Sequence, residues 1–218
     1  MTENEQTPAA HWEARYTADG KDQIWSGRVN TTVADVAATL TPGRSLDLGC
    51  GEGGDVVWLA EQGWQATGVD ISPSAVARGR AAAAAAGVEA IFEATDLTEW
   101  RTQDEFDLVT ATFFHSQVEL ERTRILRYAA SRVAAGGHLL VVSHAGFPPW
   151  ARAHDEEGHE GHRHSHDFLT PEQEIAELDL DAGSWRTVLA ETRTRDAVGP
   201  DGEEAVLEDG VVLLRRTA

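Results

Sequence analysis

Four glycines, Gly49, Gly51, Gly53 and Gly54, sit between a short apolar run, Arg44 to Cys50, and a stretch carrying Val56, Val57, Leu59 and Ala60 on one helical face. A strand that enters a glycine-rich turn and leaves as a helix is the opening unit of a βαβ fold. The missing side chains let the backbone approach a ligand closely, and the helix N-terminus offers unpaired N–H groups. Gly49, Gly51 and Gly54 literally match the dinucleotide fingerprint. Alone, that match says only that a nucleotide-like ligand comes near.

The rest of the chain continues the alternation. Residues 9–18 and 29–40 read as helices, the second with Val29, Val33, Val36 and Leu40 on one stripe. Strands are expected at Trp64 to Val69, Val88 to Glu93, Phe106 to Phe114 and His138 to Ser143. Between them, Ser72 and Pro73 open a helix that runs through Ala81–Ala86 and stops at Gly87. Residues 118–135 form another, ended by Gly136 and Gly137. Thr170, Pro171 and Gln173 carry a capping-box signature. Trp185 to Arg195 and Ala205 to Arg215 flank a Gly199-Pro200-Asp201-Gly202 turn and read as a hairpin. The expected fold class is α/β: a doubly wound, Rossmann-like, seven-stranded, mostly parallel sheet with an antiparallel C-terminal hairpin. We expect one domain over 1–218, divided into an N-terminal helical cover (1–40), a cofactor-binding core (41–144), a His-rich loop (145–169) and a C-terminal helix and hairpin (170–218).

The carboxylates around the glycine turn choose the ligand. Asp47 lies two residues before Gly49, and Glu52 sits inside the loop. A pyrophosphate would be repelled by acids at close range, whereas S-adenosylmethionine brings a positive ammonium and a positive sulfonium. Asp70 ends the second strand 21 residues after Gly49, the place from which a carboxylate accepts ribose hydroxyls. Asp96 follows the third strand and suits the adenine amino group, with Ile71 and Leu97 on the ring faces. Overall charge points the same way about partners. There are 37 Asp and Glu against 18 Lys and Arg, a formal net charge of −19, which repels nucleic acid and anionic membrane surfaces. No apolar run reaches the roughly 20 residues of a membrane span, residues 1–10 lack the pattern of a signal peptide, and a single cysteine fits a reducing compartment. The expected location is cytoplasmic, and the expected assembly a monomer or homodimer.

These residues resemble a known family. Leu46-Asp47-Leu48-Gly49-Cys50-Gly51-Glu52-Gly53 is similar to the first motif of class I S-adenosylmethionine-dependent methyltransferases. Gly68-Val69-Asp70-Ile71-Ser72 resembles their second, Ala94-Thr95-Asp96-Leu97 their third, and Phe106-Asp107-Leu108-Val109 their fourth. Residues 132–140 resemble the helix-turn-strand that follows, so the likeness covers about 45–143. Upstream, Trp12-Glu13-Ala14-Arg15-Tyr16 and Trp25-Ser26-Gly27-Arg28-Val29-Asn30 are similar to small methyltransferases of the thiopurine and tellurite-resistance type. The resemblance implies a small-molecule methyl acceptor, S-adenosyl-L-homocysteine as product, and a cofactor-covering role for Tyr16 and Trp25.

Other residues carry weaker signals. His115 and His144 follow the fourth and fifth strands at the cofactor edge, and either could accept a proton from the substrate; His115 is the candidate base. Trp12 could stack on the donor or the acceptor. Cys50 reads as a small packed residue. His154, His159, His162, His164 and His166 sit in the loop among acids; a lid over the substrate pocket suits them better than a metal site, so no metal is expected. Two rivals stand beside methyl transfer. A metal- or metalloid-sequestering protein would use the His-rich loop. An NAD(P)-dependent oxidoreductase has the fingerprint, but Asp47 opposes it and there is no Tyr-Lys pair, Lys21 being the only lysine.

Overall fold

A computed structural model describes residues 7–18, 23–116, 118–150, 168–199 and 202–217. The His-rich segment, with all five of its histidines, lies outside the described residues.

Seven strands form one sheet in the order β3-β2-β1-β4-β5-β7-β6. They are β1 (Arg44–Leu48), β2 (Gln65–Asp70), β3 (Ile91–Ala94), β4 (Phe106–Thr112), β5 (Val133–His144), β6 (Trp185–Val198) and β7 (Glu204–Arg216). The first five run parallel, and β7 enters antiparallel between β5 and β6. This is the sheet expected from the alternation. Its interior strands carry continuous apolar runs because both faces are covered: Leu139–Val142 and Val211–Leu214 are buried along their whole length. One core lies on the face toward α5 (Arg122–Ser131) and α6 (Pro171–Leu178), around Leu46, Val109, Leu126 and Val212. The other lies toward α2 (Thr31–Ala37), α3 (Gly54–Glu61) and α4 (Pro73–Ala86), around Val33, Leu59, Val76 and Leu140.

Local chemistry sets the helix ends. The Ser72 hydroxyl accepts the Ala75 N–H at 3.1 Å and Pro73 fills the first turn of α4, while Gly87 closes that helix at φ +71°. Thr170 and Gln173 form the expected capping box on α6. The main departure is at Gly136-Gly137. The helix expected to reach residue 135 ends at Ser131, and β5 begins at Val133 rather than His138. Val133 is β-branched, fully buried and paired with Phe106; the register then slips before Leu108 meets His138. The two glycines therefore absorb a bulge inside a strand, with Gly136 at φ +82°, instead of stopping a helix. The helix expected over 29–40 is also shorter, Thr31–Ala37, because the Asn30 side chain caps it by accepting the Thr32 N–H.

The strand order reverses between β1 and β4, whose outer neighbours are β2 and β5. In open α/β sheets the crevice outside the carboxyl ends at such a reversal is where ligands bind.

Candidate active site

A cavity of about 680 Å³ opens at that reversal. Asp47 on β1, Asp70 at the end of β2, Asp96 after β3, Thr112 at the end of β4 and His144 at the end of β5 all line it. Sheet register explains the convergence: Asp47 pairs with Gly68 on one side and Thr110 on the other.

The glycine turn is left-handed at Gly49 (φ +66°), Gly51 (+52°) and Gly53 (+81°). A Cβ on Gly49 would lie 2.7 Å from the Phe114 ring, and one on Gly51 would lie 2.9 Å from the Tyr16 hydroxyl. Both positions therefore need glycine for conformation and for space. Gly53 differs from the expectation: it lies outside the cavity lining, and its missing side chain makes room for Phe92 and the backbone of Gly79. It serves the packing of helix against sheet.

Asp47 is buried and accepts the Thr110 hydroxyl at 2.7 Å. Burial, and then the charge of Asp55, push its carboxyl well above the usual range. Asp55 sits in the first turn of α3, accepts the Asn30 N–H at 2.6 Å, and is itself pushed up by burial. Asp70 accepts the N–H groups of Gly51 and Ser72, both at 2.9 Å, yet burial still raises it. One oxygen of Asp96 accepts the Thr98 N–H and hydroxyl, both at 2.8 Å. Ile71 and Leu97 line the cavity beside Asp70 and Asp96. Several carboxylates thus crowd one cleft, while the glycine turn spends its N–H groups inside the protein: Gly49 donates to the Val69 carbonyl at 2.8 Å and Gly51 to Asp70.

Glu52 turns away from this role. It is buried, accepts the N–H groups of Ile24 and Trp25 at 2.9–3.0 Å, and pairs with Arg78 at 2.7 Å. The acid inside the loop ties the segment after α1 (Pro8–Thr17) to the turn. That helix crosses the cavity mouth. Glu13 accepts the Ser72 hydroxyl at 2.6 Å, and Trp12 Nε1 donates to the Ser116 hydroxyl at 3.2 Å. Trp25 Nε1 donates to the Tyr16 hydroxyl at 2.9 Å; Tyr16 is buried and Trp25 is half exposed. Both line the cavity. Cys50 is buried under the turn, its thiol pushed up by burial, as a packed residue should be.

The far end of the cavity is made of four rings and a guanidinium. Phe113, at φ +50°, starts a tight turn in which His115 N–H donates to the Phe113 carbonyl at 2.8 Å, and Phe113, Phe114 and His115 all line the cavity. His144 stacks on Phe113 with centroids 4.2 Å apart, and His115 stands 6.0 Å from His144. Arg195, from the C-terminal hairpin, completes this end. Asp55 and Arg195 are the charged residues at the two ends of the cavity that sequence reasoning did not single out, and Thr112, Phe113 and Phe114 also line it without having been expected there. Asp55 had a usable signal, an acid in the first turn after the glycines; Arg195 lies 51 positions beyond His144 and had none.

A strand-order reversal, a glycine turn, acids at successive strand ends and the side chains of α1 thus converge on one cavity. The methyltransferase-domain family matches residues 46–137, which holds every strand-end acid of the site. The 2-heptyl-1-hydroxyquinolin-4(1H)-one methyltransferase of Mycobacteroides abscessus is 31% identical over 165 residues, 68% of this chain and 70% of that protein. The chain therefore belongs to the class I S-adenosylmethionine-dependent methyltransferases, with S-adenosyl-L-methionine as the methyl donor. Relatives differ in size: the chain spans 34% of the length of one ribosomal RNA small subunit methyltransferase C. Among solved structures, one described with the conversion of a disulfide bond into a thioacetal group during echinomycin biosynthesis overlays with a TM-score of 0.75. It shares 24% identity and covers 95% of this chain and 91% of its own. The N-methyltransferase NodS of Bradyrhizobium japonicum WM9, in complex with S-adenosyl-L-homocysteine, overlays at 0.59 with 17% identity, 98% and 90% covered. Among the described residues no helix is long and apolar enough to cross a membrane.

Proposed function

We propose that this enzyme transfers the methyl group of S-adenosylmethionine to a small, largely planar acceptor held in the ring-lined end of the cavity. The observation that carries the donor half is the set of carboxylates, Asp47, Asp55 and Asp70, that burial pushes up at one end of the cavity. The Asp55 charge raises the cost of ionising Asp47, and a cation placed beside them relieves it. The ammonium of the donor is such a cation. In this reading Asp47 and Asp55 receive the ammonium and Asp70 the ribose hydroxyls. Asp96 takes the adenine amino group through its second oxygen, with Ile71 and Leu97 against the ring. Tyr16 and Trp25 close the mouth. Methyl transfer is a displacement in line with the breaking C–S bond, so enclosure and alignment supply much of the acceleration.

Cavity size supports a small acceptor. About 680 Å³ falls within the roughly 300–1,000 Å³ typical of small-molecule sites, and donor and acceptor must share it. The net charge of −19 disfavours RNA or DNA as acceptor. Incubation with methyl-labelled donor tests this: 2-heptyl-1-hydroxyquinolin-4(1H)-one, the compound named for the Mycobacteroides relative, and related hydroxylated heteroaromatics should become labelled, and RNA should not. Label in RNA alone would contradict the acceptor class.

A further inference from the structure

We propose that His144, held by Asp209, takes the proton released when an aromatic hydroxyl in this cavity is methylated. The proposal deepens the methyl-transfer reading above and rests on it.

His144 and Asp209 are cross-strand neighbours, the last pair of the β5–β7 ladder. The Asp209 side chain is only 7% exposed. Its Oδ2 accepts Arg195 Nε at 2.6 Å. Its Oδ1 is buried without a hydrogen bond and lies 3.6 Å from His144 Nδ1. A buried carboxylate oxygen left in that state is costly, and a protonated imidazole closing by a few tenths of an ångström satisfies it. With Nδ1 turned to the carboxylate, Nε2 is the nitrogen left to the cavity that His144 lines. The ring is fixed from a third side by Phe113, stacked at 14°, which in turn carries the Arg195 guanidinium 5.2 Å from its centroid. A base oriented by a buried acid is the arrangement that proton abstraction needs, and such contacts tighten only when substrate is bound.

The groups facing His144 are Asp209 from β7, Arg195 from β6 and His115 from the turn after β4. Arg193, on β6 opposite Asp209, is engaged by Glu191 at 2.6 Å and Asp35 at 3.5 Å. An aromatic hydroxyl ionises near 10, so at neutral pH it attacks poorly until a base takes its proton. The hydroxyl oxygen forms a bond to the methyl carbon as the C–S bond breaks, and that bond's electron pair goes to sulfur. The O–H proton passes to His144 Nε2, and the resulting imidazolium sits against the Asp209 carboxylate until water takes the proton away. The phenyl and imidazole rings of Phe113, Phe114, His115 and His144 form a wall suited to a planar acceptor.

The test is turnover of a panel of phenols of graded acidity with labelled donor, for wild type, His144→Gln, His115→Gln and Asp209→Asn. For weakly acidic phenols at neutral pH, H144Q should lose about a hundredfold, recovering as pH passes the phenol's own ionisation; acidic phenols should lose little. H115Q should keep the wild-type dependence on acidity. D209N should show a smaller loss with the same grading by phenol acidity, because the ring loses the acid that orients it. Should D209N fail to fold, the contrast between H144Q and H115Q across the panel carries the test. Calorimetry with S-adenosylhomocysteine should give wild-type affinity in every folded variant. A uniform loss in H144Q across the panel, or the graded loss in H115Q instead, overturns the proposal. Wild type that binds S-adenosylhomocysteine but methylates no phenol overturns it while sparing the donor site; no binding at all removes the donor reading itself.

Discussion

At the scale of single residues, the donor end is organised by acids whose environments differ although their sequence positions look alike. Asp70 is expected to hold the ribose hydroxyls, so Asp70→Ala should weaken S-adenosylhomocysteine at least about tenfold, or 1.4 kcal/mol, in a calorimetric titration. Glu52 sits one residue from Gly51 and yet belongs to the scaffold. Glu52→Ala leaves Arg78 and two backbone N–H groups without their shared buried acceptor. It should cost roughly 3 kcal/mol in a denaturant titration while leaving the strand-end acids in place. Sequence reasoning placed Asp47 and Glu52 alike beside the glycines. It could not tell them apart, because what distinguishes them is the segment around Ile24 and Trp25, which folds back onto one and leaves the other facing the cleft.

The elements show the same limit in a different form. Periodicity, caps and turn residues located every strand and helix of the parallel half to within a few residues. The Gly136-Gly137 bulge was not legible, since two glycines after a helical pattern look the same whether they end a helix or kink a strand; only pairing with β4 decides. Gly79 provides a sharper case. In an exposed helix, Gly to Ala stabilises by up to about 1 kcal/mol. In α4 a Cβ at this position would lie 2.6 Å from the Phe92 ring, which is already pressed against Gly53. Gly79→Ala should therefore lower the melting temperature rather than raise it, by a stability loss of about 1–3 kcal/mol; a rise would show that Phe92 has room to move. The hairpin of β6 and β7 was readable as a hairpin. Its insertion beside β5, which brings Arg195 and Asp209 to the acceptor end, depends on pairing between residues about 65 to 77 positions apart and leaves no local mark.

For the whole molecule, the strand order sets where the acids meet and the acids set which ligand is welcome. Asp47 is raised above ordinary carboxylates by burial and then by the Asp55 charge, and Asp55 by burial. A raised carboxyl keeps its proton to higher pH in the free enzyme, and a cationic ligand binds the deprotonated form. Lowering the pH through the range of this pair must therefore weaken the donor product, and binding in that range must release protons. The most direct measurement is calorimetry of S-adenosylhomocysteine from pH 8 down to about 5, in buffers of different ionisation enthalpy. The account predicts micromolar binding at pH 8, a progressive loss of affinity toward acid, and proton release on binding that disappears in Asp47→Asn. Absence of binding at pH 8, or affinity that stays level across the range with no proton released, would contradict it.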